Sequence, residues 1–318
     1  MILRLSGTDV ASGNGLQMQS REGSAVRGLV INNFPENGIV VNEPFASPFG
    51  DRRLIADCYI GTDPTGLKAA PNALRGIFVQ LPAQRWRAAL DIVGNVISGN
   101  ARSGIFVTSG TDIRIAGNRI GAAAGDALLP LANGASGMYL GSVSAVQVNA
   151  NVIAFNRDVG VGTDRTAATV GAEQNVMTGN GQLGIDHGLD DVTLNDSPTR
   201  PPALPQFPLL LSALWEEGNA VTRIEGLASP SGRFFNDRAI VDLYRNSAAP
   251  PSGFGEGEEW IGAVIPEPST EARPFVLAVP RNLQGSFISA TFTQSTAVPR
   301  WTSEFSAVIA VTPGAKKP

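Results

Sequence analysis

The sequence contains one cysteine, Cys58, and one histidine, His187. A lone cysteine excludes an intrachain disulfide, and the two together exclude a zinc site of Cys/His spacing. Charged residues make up only 16%, with a net charge of -4 and a pI near 5.2. That balance leaves no basic footprint for nucleic acid. No run of eighteen apolar residues occurs, so no membrane-spanning helix is expected. Residues 1–20 lack a basic start followed by an apolar stretch, so no signal peptide is visible, and a strand-like "ILRLSG" begins almost at once. Gly and Pro are abundant, 36 and 22, but not periodic at three, which excludes collagen. Their excess implies many turns and therefore short strands. A hydrophobic fraction of 43% over 318 residues fits a globular chain of about two domains.

The turns recur. A Gly precedes a short apolar run at Gly15, Gly38, Gly76, Gly104, Gly137, Gly160 and Gly184, at intervals of 23, 38, 28, 33, 23 and 24. A constant minimum with variable excess describes coils of fixed girth that carry loops of different length. The position after each Gly holds Leu16, Ile39, Ile77, Ile105, Met138, Val161 and Ile185. Two further on stand Met18, Val41, Val79, Val107, Leu140, Thr163 and His187. Residues two apart share one face of a strand, so both columns point into a core. A further column reads Leu29, Cys58, Asn95, Asn118, Asn151 and Asn175. Ile, Val or Met stands two residues beyond each member of it. Coils stacked ~4.8 Å apart would place these amides above one another, each donating to the next. On this reading Asn bends the chain and pairs with its neighbours, the apolar pairs fill the core, and Gly permits the next corner. Cys58 becomes a small buried filler rather than a nucleophile.

The phrases "GNVISGN", "IGTDPTGLKAAPNALRGIFV" and "GNRIGAAAGDALLPLANGASGMYL" resemble right-handed parallel β-helix repeats of bacterial surface and secreted proteins, similar in fold to the pectate-lyase-like group. The resemblance spans residues 1–196. It implies a right-handed parallel β-helix of about seven coils and an extracellular or cell-surface location, and it says little about activity. Residues 197–206 form a Pro-rich linker. Seven alternating stretches over 207–318 then read as an antiparallel β-sandwich, with Trp215, Tyr244, Trp260, Phe275 and Phe287 expected in its core. "PPSGFGEGEEWIG" and "GSFISATFTQSTAVPRWTSEFSAVIAV" resemble an immunoglobulin-like module that closes such helices. A departure from the resemblance, "TQSTAVPRW" where an Asp-rich loop is usual, puts a metal role for that loop in doubt.

Several residues could carry function. The outward position two after each Gly reads Gln17, Val40, Phe78, Phe106, Tyr139, Gly162 and Asp186. Phe78, Phe106 and Tyr139 should therefore form an aromatic stripe. It is either covered by a loop or the second domain, or open to a polysaccharide or a cell-surface protein. Asp164 and Asp186 fall on adjacent coils and, with His187, could serve as acid and base of a polysaccharide-degrading enzyme, a lyase or glycoside hydrolase. The bland reading makes them solvated strand ends and a buried histidine. Asp190, Asp191 and Asp196 could hold Ca²⁺ or simply shape turns where the helix ends. "IGTDPTG" reads as a Pro-containing β-turn rather than a phosphate loop. The favoured function is a non-catalytic module that binds glycan or a protein partner, or spaces a surface assembly.

Overall fold

A computed structural model describes residues 3–19, 23–42, 52–82, 89–167, 169–197, 204–228, 238–267, 272–295 and 300–314. Apart from one 3₁₀ turn, Glu217–Asn219, every regular element in them is a strand. Three rows of short strands build the first part. The row after each glycine comprises Leu16–Met18, Ile39–Asn42, Ile77–Gln80, the front halves of Ile105–Ala116 and Met138–Asn149, Val161–Thr163 and Ile185–His187. The row before each Asn position comprises Ala25–Arg27, Arg53–Ala56, Leu90–Val93, the back halves of the same two long strands, and Val170–Glu173. These two rows form one parallel sheet of eleven strands, and the row after each Asn position forms a second parallel sheet of seven. The architecture is a parallel β-helix, and its seven post-glycine strands mark seven coils.

Register places like over like. Ile77, Ile105 and Met138 pair in sequence, and so do Val79, Val107 and Leu140. Ile60, Ile97, Ile120 and Ile153 stack in the second sheet. All of these are fully buried, and each such side chain contributes about 1.5–3 kcal/mol by leaving water. The expected amide ladder is present: Nδ2 of Asn95, Asn118 and Asn151 donates to Oδ1 of the next Asn at 2.9, 2.9 and 3.0 Å. Each Oδ1 also accepts a backbone N–H from the coil before, beginning with Cys58 N to Asn95 at 2.9 Å. Cys58 is buried, and burial pushes its thiol pKa up, which keeps it inert. "IGTDPTG" is a β-turn, closed by Gly66 N donating to Asp63 O at 3.0 Å.

Two readings of the coil need correction. Gly38, Gly76, Gly104, Gly137 and Gly160 do not supply a left-handed corner, since none of them has a positive φ. A Cβ at Gly104 would lie 2.8 Å from Gly137 O and 2.9 Å from the Ile120 γ2 methyl, and its counterparts are equally tight. The column is glycine because the next coil approaches too closely for a side chain. The left-handed bend falls instead on the residue before each Asn position, at Gly28, Asp57, Gly94, Gly117, Ala150 and Gln174. A second amide ladder, Asn72–Asn100–Asn133–Asn156–Asn180, runs up another corner with steps of 3.0 Å. Each member stands four residues before a column glycine. That spacing is legible in the sequence itself.

The second part is a β-sandwich. One sheet orders Pro274–Val279, Val221–Leu227, Leu209–Glu216 and Thr312–Pro313; the other contains Glu259–Val264, Arg238–Asn246, Phe287–Ser295 and the short Trp301–Thr302 and Ile309–Ala310. Pairing is antiparallel except that Thr312–Pro313 runs parallel to Leu209–Glu216. Its core is mainly aliphatic, with Ile224, Val241, Leu243 and Ile288 fully buried around Phe275 and Phe292. Of the five aromatics expected there, only Phe275 belongs to it. Trp260 is exposed, and Trp215 and Phe287 are half-buried. Tyr244 packs with Phe305 in the core of the helix. Residues 198–203 of the expected linker and 296–299 of the "TQSTAVPRW" loop lie outside the described residues.

The sandwich therefore closes the last coil, as its open edges require. Met177 and Gly257 exchange both backbone bonds, at 2.7 and 2.9 Å. Glu256 ends the second ladder, accepting Gly179 N, Asn180 N and Asn180 Nδ2 at 2.8, 3.2 and 3.3 Å. Glu304 accepts His187 N at 2.9 Å and Thr193 N at 2.7 Å. Arg300 grips both oxygens of Glu173 at 2.8 Å.

Candidate functional site

The outward column of the post-glycine row is in register: Phe78 pairs with Phe106, Phe106 with Tyr139, Tyr139 with Gly162 and Gly162 with Asp186. Parallel strands repeat at about 4.8 Å, so ring follows ring. Phe78 and Phe106 stack with centroids 6.2 Å apart at 14°, and Phe106 and Tyr139 at 4.5 Å and 16°. All three are half-buried. The excursions that lengthen two coils lean on one another, Ala124 N donating to Gly66 O at 3.0 Å. Arg75 lies over the rings, its guanidinium carbon 4.1 Å from the Phe106 centroid and 5.4 Å from that of Phe78. At Gly162 the column has no side chain of its own. Leu189, turned back by a left-handed φ of 55°, reaches over that glycine and extends the apolar row. Neither Arg75 nor Leu189 was apparent from sequence, because each enters the row from outside the strand column.

Asp164 ends the row. Tyr139 Oη donates to Asp164 Oδ2 at 3.0 Å, and Oδ1 accepts the Thr166 hydroxyl, Thr166 N at 2.8 Å and Ala167 N at 3.1 Å. Burial raises the Asp164 pKa, but these donors outweigh it and hold the carboxyl below its ordinary value. Asp186 behaves in the opposite way. It lies 3% exposed beneath the turn at 189–191, accepts Asp190 N at 3.3 Å, and burial pushes it up to about 6. His187 is also buried, at 6%. Its Nε2 lies 2.8 Å from Thr302 O, which can only accept, so that nitrogen carries the proton. Nδ1 lies 2.9 Å from the Thr163 hydroxyl oxygen. Both ring nitrogens are thus engaged at the junction of the two domains, and Trp301 lies edge-on at 6.3 Å. A cleft of about 30 Å³ opens there between Asp164, Arg165, His187, Asp190 and Trp301.

The three carboxylates considered for calcium do not converge. Asp190 pairs with Arg165 at 2.8 Å, and among the described residues no three His, Cys, Asp or Glu side chains come together as a metal set. A groove of about 490 Å³ separates the last corner, 178–183, from the segment 246–252, with Phe254, Glu256 and Glu258 along it.

A stacked parallel coil with two amide ladders and a capped end defines a β-helix solenoid. The profile described as "Right handed beta helix region" matches residues 14–196, more than half of the chain, and the protein belongs to that family. No curated protein sequence matches it. Among solved structures it is similar to the enzymatically active domain of tailspike protein 2 of bacteriophage CBA120, at 8% identity and a TM-score of 0.27, covering 96% of this chain and 72% of that one. It is also similar to tailspike protein gp49 of the Acinetobacter baumannii bacteriophage Fri1, a capsular polysaccharide depolymerase. That likeness has 8% identity and a TM-score of 0.24, covering 92% of this chain and 64% of the other. Among the described residues no helix is long and apolar enough to cross a membrane.

Proposed function

We propose that the protein is an extracellular β-helix module that binds a polysaccharide along the row Phe78–Phe106–Tyr139–Leu189, with the sandwich, read as an immunoglobulin-like module, serving as its cap. One observation carries this reading: three rings lie nearly parallel on successive coils, at 6.2 and 4.5 Å. With their faces turned to one another, the rings offer a strip of apolar edges at the spacing of successive coils, against which the apolar patches of a saccharide chain pack while Tyr139 and Asp164 serve its hydroxyls. In affinity electrophoresis of the full chain, Phe106→Ala and Tyr139→Ala should each weaken retention by a bound polysaccharide about tenfold or more, a typical hot-spot loss. Unchanged retention by both variants would remove the row from the binding surface, and binding only to a protein partner would replace the glycan as ligand.

A second reading, hydrolysis of the bound chain, has one observation in its favour. Asp164 and Asp186 stand on adjacent coils with their pKa values driven apart, as an acid and base require. His187 lies beside the pair, with Nδ1 2.9 Å from the Thr163 hydroxyl and Nε2 2.8 Å from Thr302 O. Asp186→Asn would abolish release of reducing ends without altering retention if the protein is a hydrolase. Absence of any product from the unaltered chain would leave binding alone.

A further inference from the structure

We infer that the saccharide carries an oxyanion, a carboxylate or a phosphate, and that Arg75 is the residue that recognises it. The inference rests on the glycan-binding reading and adds the charge of the ligand and its direction on the row. Arg75 directly precedes Gly76, and its half-buried guanidinium lies over the rings of Phe106 and Phe78. Among the described residues its side chain forms no hydrogen bond and no ion pair. Arg52, Arg165 and Arg281, all exposed, each hold a carboxylate. Burial, and after it the like charge of Arg102, exposed on the next coil, lower its pKa.

A partly desolvated cation is ordinarily paired. Here the ring stack supplies one face of attraction, a like charge sits beside it, and no carboxylate among the described residues pairs with it, which leaves its N–H donors to a ligand's oxyanion. A guanidinium carries a fixed fork of N–H donors, which fits a planar carboxylate or a phosphate with two parallel bonds. The neighbouring outward positions, Gln80, Thr108 and Gly141, bring no charge. The far end of the row is anionic, with Asp164 held ionised beside Tyr139. The two ends therefore differ in sign. The ligand's oxyanion belongs over Phe78 and Phe106, and its hydroxyls belong at Tyr139 and Asp164.

The test uses the full chain in affinity electrophoresis against four polymers: alginate, its propylene glycol ester, yeast phosphomannan and dextran. Arg75→Gln keeps the stem over the rings and removes the charge, and its melting temperature should match the parent. Alginate should retain the unaltered protein about tenfold more strongly than the ester does, and Arg75→Gln should erase the difference, with Arg75→Lys intermediate because a point charge replaces the fork. Phosphomannan bound in place of alginate, with the same dependence on Arg75, also supports the inference and names phosphate as the source. Equal retention by alginate and its ester, sensitive to Phe106→Ala but not to Arg75→Gln, would overturn the inference and leave the glycan reading standing. No retention by any of the four would overturn both.

Discussion

Alanine and glycine exchange roles at two positions of the coil. At Gly104 the backbone dihedral is ordinary, yet a Cβ would meet Gly137 O at 2.8 Å and Asn133 Nδ2 at 2.9 Å. Gly104→Ala should therefore destabilise by roughly 1–3 kcal/mol, the cost of overpacking against atoms that cannot yield. At Ala150 space is not the difficulty, and a φ of 53° is. A left-handed residue with a Cβ costs roughly 1–2 kcal/mol, part of which glycine's greater freedom when unfolded offsets. Ala150→Gly should consequently be neutral or raise stability by up to about 1 kcal/mol. Thermal melts of the two variants, moving in opposite directions, would establish that close approach and left-handed bends occupy separate columns. The aromatic row belongs to the same order of detail. Its register could be counted from the glycines, whereas Arg75 depends on a side chain folding back from the preceding corner.

Most of the coil could be read from spacing alone, because identical positions recur and a parallel sheet converts recurrence into contact. Ile77, Ile105 and Met138 stack where the count placed them. The left-handed bend is not legible in the same way, because Asp57, Ala150 and Gln174 occupy it as well as glycine, so composition does not mark it. The sandwich was legible as alternating stretches, but not in its packing. Tyr244 and Phe305 leave their own domain for the core of the other, and no local pattern announces a side chain that crosses a boundary. The ends of the ladders were equally hidden. Glu256 lies 76 residues from Asn180 in sequence. Replacing it by alanine removes the acceptor of two backbone amides at once, which should cost roughly 2 kcal/mol or more. Hydrogen exchange at Gly179 and Asn180 should accelerate well ahead of exchange at Asn118; equal rates throughout the ladder would show that Glu256 does not seal it.

The two domains meet through carboxyl groups that burial makes reluctant to ionise. Glu304 is pushed up to about 7, Asp186 and Asp242 to about 6, and Glu256 also upward. Each binds protons more readily in the folded protein than in the unfolded chain, where a glutamate titrates near 4.5. Their contribution is most favourable below that lower value and is lost as pH rises through 6 and 7. For Glu304 alone the difference is on the order of 3 kcal/mol. The melting temperature should be higher near pH 5 than near pH 8, and Glu304→Gln should flatten the slope between them; a melting temperature that climbs toward pH 8 would contradict this account. The ladders add a polarity to the junction. Within each ladder every amide but the last donates to the amide of the next coil, so their small dipoles point one way, and at the second corner Asn180 passes the column on to Glu256 of the sandwich. An exchange of caps between solenoids of this kind would thus be governed by charge as much as by shape: a substitute that fitted the last coil but arrived without an anion at the asparagine corner would leave the column electrically unterminated.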